Sequence, residues 1–501
     1  MPPITIILCP SARLARSIQN DITQQQTQAG KTQWHSPNLQ MLSQWLESII
    51  EQGLLTGAIN EETPPYALSA FNEQLLWEEV IAQSLKKNAF GDLFDISGLA
   101  SAAMEANRYV AAWNLHVPRE HQAEETRQFL HWQRAFQQRC RELGALEGVR
   151  YVDWQLAHLA QGVGELPARI EFGGFDQTAP QEQRLRDILV SRGVEVDEYR
   201  MTANTPAQTQ HVQLENQEAE CRAAVAWAQA RLTENPAARL AIVTPRLNDV
   251  RNQLEDLLDD VFYPMNIRPG LADRPRHYNF SLGTPLAQQP LIQAGLNLLR
   301  LMTAHQLQQS DISMLLLSPF WSASNREADA RALLDASMRE KLPMQFTLSR
   351  LLEFIQVQQA EGLHLESLLA NIQAATAISS GRKLSPVQWA QTLDVVLNAL
   401  DWPGERTINS LEYQALNAWQ KALQQLARMD VLDKKLAASE AVYYMQQICT
   451  AQVFQAETEL EPAIQILGIM EGLSAPVDAM WCMHMNDHIW PLPARPNPLL
   501  P

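Results

Sequence analysis

The chain has little that would staple it, anchor it in a membrane or bind polyanions broadly. Its 501 residues contain five cysteines, Cys9, Cys140, Cys221, Cys449 and Cys482. They lie far apart and never form C-x-x-C, which argues against a disulfide framework or a zinc ribbon and leaves buried thiols as the expectation. No apolar run approaches the roughly 18 residues needed to cross a bilayer. The opening MPPITIILCP carries neither a basic stretch nor a cleavage pattern. A soluble, cytoplasmic chain of two to four domains without a membrane partner is expected. Positive charge is also scarce, with 39 Lys+Arg against 56 Asp+Glu and a formal net charge of −17. Non-specific nucleic-acid affinity comes mainly from phosphate neutralisation, so this balance excludes a general polyanion binder and confines any DNA contact to a local patch.

The parts of an ATPase site are missing too. Residues 4–8 are apolar and β-branched, Pro10 and Ser11 follow, and Leu14, Ile18 and Ile22 recur at helical spacing, which predicts a strand, a turn and a helix. A phosphate loop at that turn needs glycine, then Lys-Ser/Thr at the helix start, so that backbone N–H groups cradle phosphate. CPSARLAR has neither, and Arg13 and Arg16 are read as surface residues of the first helical turn. Gly30-Lys31-Thr32 repeats the end of that motif, but Gln25 stands where its first glycine belongs. The tripeptide follows a helix instead of opening one, so it is read as a glycine helix stop. A strand at 170–172 runs into Gly173, Gly174, Phe175 and Asp176. A lone carboxylate makes a poor Mg²⁺ site, and Asp176 is read as a turn cap. There is no G-x-S-x-G elbow, and His484 and His488 lack a third metal ligand. No catalytic, nucleotide-binding or metal-binding residue is assigned, and no cofactor is expected.

What is present is a succession of helices and short buried strands. From Ser36, apolar residues at Leu39, Leu42, Leu46, Ile49 and Ile50 predict an amphipathic helix ended by Gly53. A helical region then runs to Trp154, with Trp77, Trp113, Trp132 and Phe136 read as core. A helix at 181–189 and a strand at 194–196 complete an α/β repeat. After a polar connector at 202–210 come a helix at 218–232, a strand at 241–244 ending at Pro245, and a helix at 247–258 with Arg251 on its surface. Helices dominate again to Ala451, interrupted by a turn at Trp402, Pro403, Gly404 and Glu405 that carries no assigned chemistry. The best local nucleic-acid candidate is RPGLADRPRHY, where Arg268, Arg274, Arg276 and His277 adjoin Tyr278 in a Pro/Gly-punctuated loop, a mixture suited to phosphate contact and base stacking. The competing reading pairs those arginines with the acidic run at 255–260.

Residues 463–501, AIQILGIMEGLSAPVDAMWCMHMNDHIWPLPARPNPLLP, carry a resemblance. Superfamily 1 DNA helicases of the UvrD and RecB type have a strand, a Thr-His-x-x-Lys-Gly-Leu-Glu turn, a second apolar strand and a Gly-Leu-x-x-Gly-x-x-Pro exit. Here 464–468 and 479–483 match the strands, Gly472 and Leu473 the Gly-Leu, and Trp490 and Pro491 the exit. Gly468, Ile469, Met470 and Glu471 stand where the polar catalytic turn belongs. Together with GGFD-x-x-x-P ending at Pro180, the 35-position pattern around AAVAWAQARL and RLAIVTP, and Asp478, Trp481, Asp487 and the closing ARPNPLLP, the chain resembles the inactivated helicase-like proteins of the AddB and RecB-like DNA repair group.

That resemblance implies an α/β protein with two RecA-like (P-loop NTPase-like) domains, each interrupted by a mostly helical insertion. The first domain would occupy residues 1–60 and 156–203 around an insertion at 61–155. The second would occupy 204–285 and 456–501 around an insertion at 286–455. It further implies DNA, single-stranded or end-containing duplex, as ligand and a helicase of the RecB or AddA type as partner. Members of the group commonly carry a PD-(D/E)XK exonuclease domain at the C-terminus, whose signature is not found before Pro501. A non-hydrolysing scaffold in double-strand break repair and recombination is therefore expected. The alternatives are an active ATP-dependent helicase/exonuclease subunit and an interaction scaffold without DNA contact.

Overall fold

The computed structural model describes residues 5–31, 33–34, 36–59, 64–87, 95–175, 178–200, 207–265, 276–378, 382–455, 462–472, 477–491 and 495–501. The chain divides into two compact units, Met1–Ser281 with Glu461–Pro501, and Leu282–Leu460. It is an α/β protein, mostly helical, whose two larger sheets are parallel.

In the first unit the apolar opening run forms β1 (Thr5–Cys9), buried from Ile6 onward. Ser11 then caps α1 (Ala12–Gln28), its Oγ accepting the Leu14 N–H at 3.3 Å. Gly30, at φ +76°, closes that helix. The helix predicted from Leu39 starts later. Asn38–Met41 form β2, parallel to β1 with Leu39 opposite Ile7, and α2 (Leu42–Leu55) follows directly. Leu39 satisfies a helical period and a strand pattern alike, and pairing with β1 decides for the strand. Trp45, Leu46, Ile49 and Ile50 on α2 pack with Ile6, Leu8, Ile170 and Phe172 into the core beneath the sheet. Each such burial contributes roughly 1.5–3 kcal/mol.

The following helices are α3 (Ala70–Lys87), α4 (Ile96–Ala112), α5 (Glu124–Glu142) and α6 (Gly148–Ala160), with a short parallel pair of strands, β3 (Tyr66–Ala67) and β4 (Ala145–Leu146). Trp77 stacks on Phe136 with ring centroids 4.2 Å apart, and both are fully buried, as is most of Trp132. Trp113 departs from that pattern: it caps the end of α4 and is 42% exposed, because the helix stops before its ring can be covered. β5 (Arg169–Phe172), α7 (Pro180–Ser191) and β6 (Glu195–Glu198) complete a sheet of order β2-β1-β5-β6, parallel throughout. Beyond it come α8 (Gln217–Glu234), β7 (Leu240–Val243), α9 (Leu247–Phe262) and β8 (Tyr278–Phe280).

The second unit is helical. After β9 (Thr284–Pro285) come α10 (Pro290–Thr303), β10 (Leu307–Gln308), α11 (Gln309–Leu316), α12 (Ala328–Lys341), β11 (Gln345–Phe346), α13 (Leu348–Ala360) and α14 (Glu366–Ile378). α15 (Pro386–Ala399), α16 (Ser410–Ala427), α17 (Ala438–Ala451) and β12 (Val453–Phe454) follow. The unassigned turn at Trp402 positions helices. The Trp402 indole donates to Leu291 O at 3.1 Å and lies so close to Gly295 that a Cβ there would meet its ring at 3.1 Å.

The chain re-enters the first unit as β13 (Ile464–Leu467), the single-turn α18 (Ile469–Gly472) and β14 (Ala479–Cys482). β13 inserts between β7 and β8, and β14 adds on the far side of β7, giving a second parallel sheet of order β14-β7-β13-β8. No helix of the described residues is long and apolar enough to cross a membrane. Four cysteines are buried and Cys482 is exposed. Burial pushes the Cys9 thiol up to about 11 and the Cys449 thiol up to about 12, so both stay neutral near neutral pH.

Candidate functional site

In open parallel sheets, ligands bind beyond the carboxyl ends of the strands where the strand order reverses. In the first sheet that place lies between β1 and β5, since the chain leaves β1 toward β2 and returns on the other side. Apolar contact fills it. The Gly173 N–H donates to Leu8 O at 2.9 Å, and Gly174, at φ +79°, lies against Leu14, where a Cβ would stand 2.2 Å from Cδ2. Arg13 reaches to the second sheet, its Nη2 donating to Gln465 Oε1 on β13 at 2.9 Å. Arg16 and Lys31 are exposed. Asp176 lies outside the described residues.

Polar contact fills the same edge of the second sheet. Thr244, directly after β7, is fully buried, and its hydroxyl accepts the Arg246 N–H at 3.1 Å and lies 2.8 Å from His484 Nδ1. A hydroxyl that donates to Nδ1 leaves the imidazole proton on Nε2, which lies 3.8 Å from Glu220 Oε2. The backbone N–H of His484 donates to the other oxygen of Glu220 at 2.8 Å. The ring is anchored through a backbone at φ +60°, a conformation that a side chain other than glycine keeps only when its surroundings hold it. On the far side of β13, Glu471 accepts from the Ser281 hydroxyl and, at 2.9 Å, from the Gly468 N–H. A carboxylate that caps its own turn thus stands where the resemblance places polar catalytic residues. Beside it Met470 is 77% exposed.

Of the predicted nucleic-acid segment, Arg268 and Arg274 lie outside the described residues. Arg276 forms a two-pronged pair with Asp259, Nε–Oδ1 2.8 Å and Nη2–Oδ2 2.7 Å, so it joins the acidic run at 255–260. That guanidinium holds the Asp259 carboxyl below the usual carboxylate range, assisted by the Tyr278 hydroxyl, and outweighs the opposing effect of burial. Tyr278 is a strand residue of β8 and not part of a loop. Its ring is buried and its hydroxyl donates to Asp259 Oδ1 at 2.5 Å. Burial and that carboxylate push the phenol upward. The His277 ring stacks on Tyr263, whose hydroxyl lies 2.7 Å from Nδ1. Nearby, the Arg251 guanidinium sits 4.8 Å over the Phe280 ring, so it packs on β8 as well as facing outward.

No protein-family model matches the chain, and no curated protein matches it. Among the described residues no group of three or more His, Cys, Asp or Glu is placed to hold a metal ion. His488 is open to solvent whereas His484 is enclosed. The Glu220–His484 contact was not legible in the sequence, since the partners are 264 positions apart and neither stands in a motif.

Proposed function

We propose that the chain is a non-hydrolysing, helicase-like scaffold in DNA double-strand break repair and recombination. In this reading the two parallel sheets are RecA-like domains, each interrupted by helices, that have lost their nucleotide site. The scaffold would bind single-stranded or end-containing duplex DNA and a helicase partner of the RecB or AddA type. The resemblance of residues 463–501 supports DNA and the helicase partner, and the contact of Leu14 with Gly174 at the strand-order reversal of the first sheet supports the loss of the nucleotide site. Phosphate there would require backbone N–H groups turned into an open loop, and a leucine side chain occupies the space instead.

The scaffold without DNA contact has one observation in its favour, since Arg276 is already neutralised by Asp259 in a chain of net charge −17. Binding of the full chain to labelled single-stranded and tailed duplex DNA across a salt series separates the two readings. Salt-sensitive binding is expected from the proposal. Absence of binding at low salt would overturn it and leave a protein-binding scaffold.

A further inference from the structure

Residues 497–500, Asn-Pro-Leu-Leu, form a turn that their own sequence favours. The Leu500 N–H closes it on Asn497 O at 3.1 Å, and the Leu499 N–H bonds to Asn497 Oδ1 at 3.0 Å. Asparagine suits the head of such a turn because its side chain accepts from the backbone two residues on, and Pro498 suits the next position because its ring fixes φ. The turn is shaped largely by local contacts.

Its remaining donors go to α4, some 395 positions back in the chain. Asn497 Nδ2 donates one proton to Ala102 O at 2.8 Å and the other to Glu105 Oε2 at 2.9 Å. With Oδ1 taken by Leu499, every partner of the amide fits one orientation of it. Ala102 presents only a methyl group, which leaves its carbonyl within reach, and Glu105 lies one turn along the same face. Asn497 and Leu499 are 9% and 5% exposed, whereas Arg495, Pro496, Pro498 and Pro501 face solvent. The turn therefore inserts one amide and one leucine and leaves the rest outside. Among the described residues, 495–501 hydrogen-bond to the rest of the chain through Asn497 alone, and they add no strand to either larger sheet. A segment held by so few bonds can open locally while the helix beneath it stays folded.

We propose that the face of α4 at Ala102 and Glu105 is a docking site for a proline turn headed by asparagine, which the chain's own residues 497–500 fill reversibly. The partner it fits is a peptide segment that presents Asn-Pro-Leu-Leu in this turn, with the asparagine amide on the helix and the second leucine position left outside. This inference is independent of the DNA reading. Release is tested first in the wild-type chain by hydrogen exchange, where the amides of Leu499 and Leu500 should exchange at least about tenfold faster than those of α4. Equal protection would make the turn a fixed part of the fold and overturn the proposal. Docking is then tested by titrating a fluorescein-labelled peptide, RPNPLLP, with the full chain. The peptide should bind the Asn497→Ala chain on the order of tenfold more tightly than the wild type, in which the tethered turn competes at high effective concentration. Adding Glu105→Ala to that chain should weaken the binding, and a peptide with alanine in place of its asparagine should not bind. Circular dichroism melts check that Asn497→Ala is folded, and Leu499→Ala takes its place if it is not. Equal binding of the two peptides, equal affinity for the wild-type and released chains, or no binding to a folded released chain would each overturn the proposal.

Discussion

The two parallel sheets carry contacts of opposite kinds beyond the carboxyl ends of their strands. At the first, a glycine in a left-handed conformation lets a leucine side chain lie over the strand ends. At the second, Thr244, His484 and Glu220 on one side and Ser281 with Glu471 on the other form hydrogen-bonded plugs. An apolar plug excludes a charged ligand by leaving it no partner. A polar plug excludes one by satisfying in advance the donors that would hold it. The two closures should therefore respond to different substitutions.

The largest effect is expected at the apolar plug. Gly174→Ala meets both a positive φ and a Cβ position 2.2 Å from Leu14, so a loss of roughly 3 kcal/mol is expected in urea denaturation. Adding Leu14→Ala to that variant should restore part of the loss through the clash, and no recovery would break the comparison. At the polar plug, Thr244→Val keeps the shape but leaves His484 Nδ1 without its hydroxyl partner, at a cost of about 1–3 kcal/mol on the same measurement. Glu471→Gln weakens two hydrogen bonds at the other end of that edge and should cost about 1 kcal/mol.

A pH-dependent effect lies outside both sheets and separates the helical part from them. Burial, and then the charge of Glu147, push the Glu73 carboxyl up to about 7 from its usual 4.5. The folded chain therefore holds a proton that the unfolded chain releases. Its stabilising contribution is complete below about pH 4.5 and is lost as pH rises through about 7. Glu73 keeps some solvent contact, so the slope should stay below about 1 kcal/mol per pH unit. Glu73→Gln should flatten stability between those pH values in a series of melts, and an unchanged slope would place its origin elsewhere.

Local patterns in the sequence located most elements, and long-range pairing accounts for what they missed. β1, β5, β7 and β13 fall within a residue or two of the apolar runs that predict them; β1 and β7 are continuous hydrophobic words because both faces are buried, whereas β5 alternates buried Ile170 and Phe172 with half-buried Arg169 and Glu171. β2 was hidden because Leu39 extends the helical period of the residues after it, and only its pairing with Ile7 reveals the strand. Tyr278 read as a loop residue because its strand has three residues and follows prolines and arginines. Arg276 and Asp259 were visible as opposite charges 17 positions apart, whereas Glu220 and His484 meet only through the fold. Trp77 and Trp113 share helical spacing, and position along the helix, which periodicity does not record, makes one core and the other open surface.

Plugs at both sheet edges predict that the chain does not hydrolyse nucleotide. Phosphate release from ATP by the full chain, followed with and without single-stranded DNA and Mg²⁺, tests it most directly. The expected result is no release above background in either condition. DNA-stimulated release that disappears in Lys31→Ala would contradict it and make the chain a working motor.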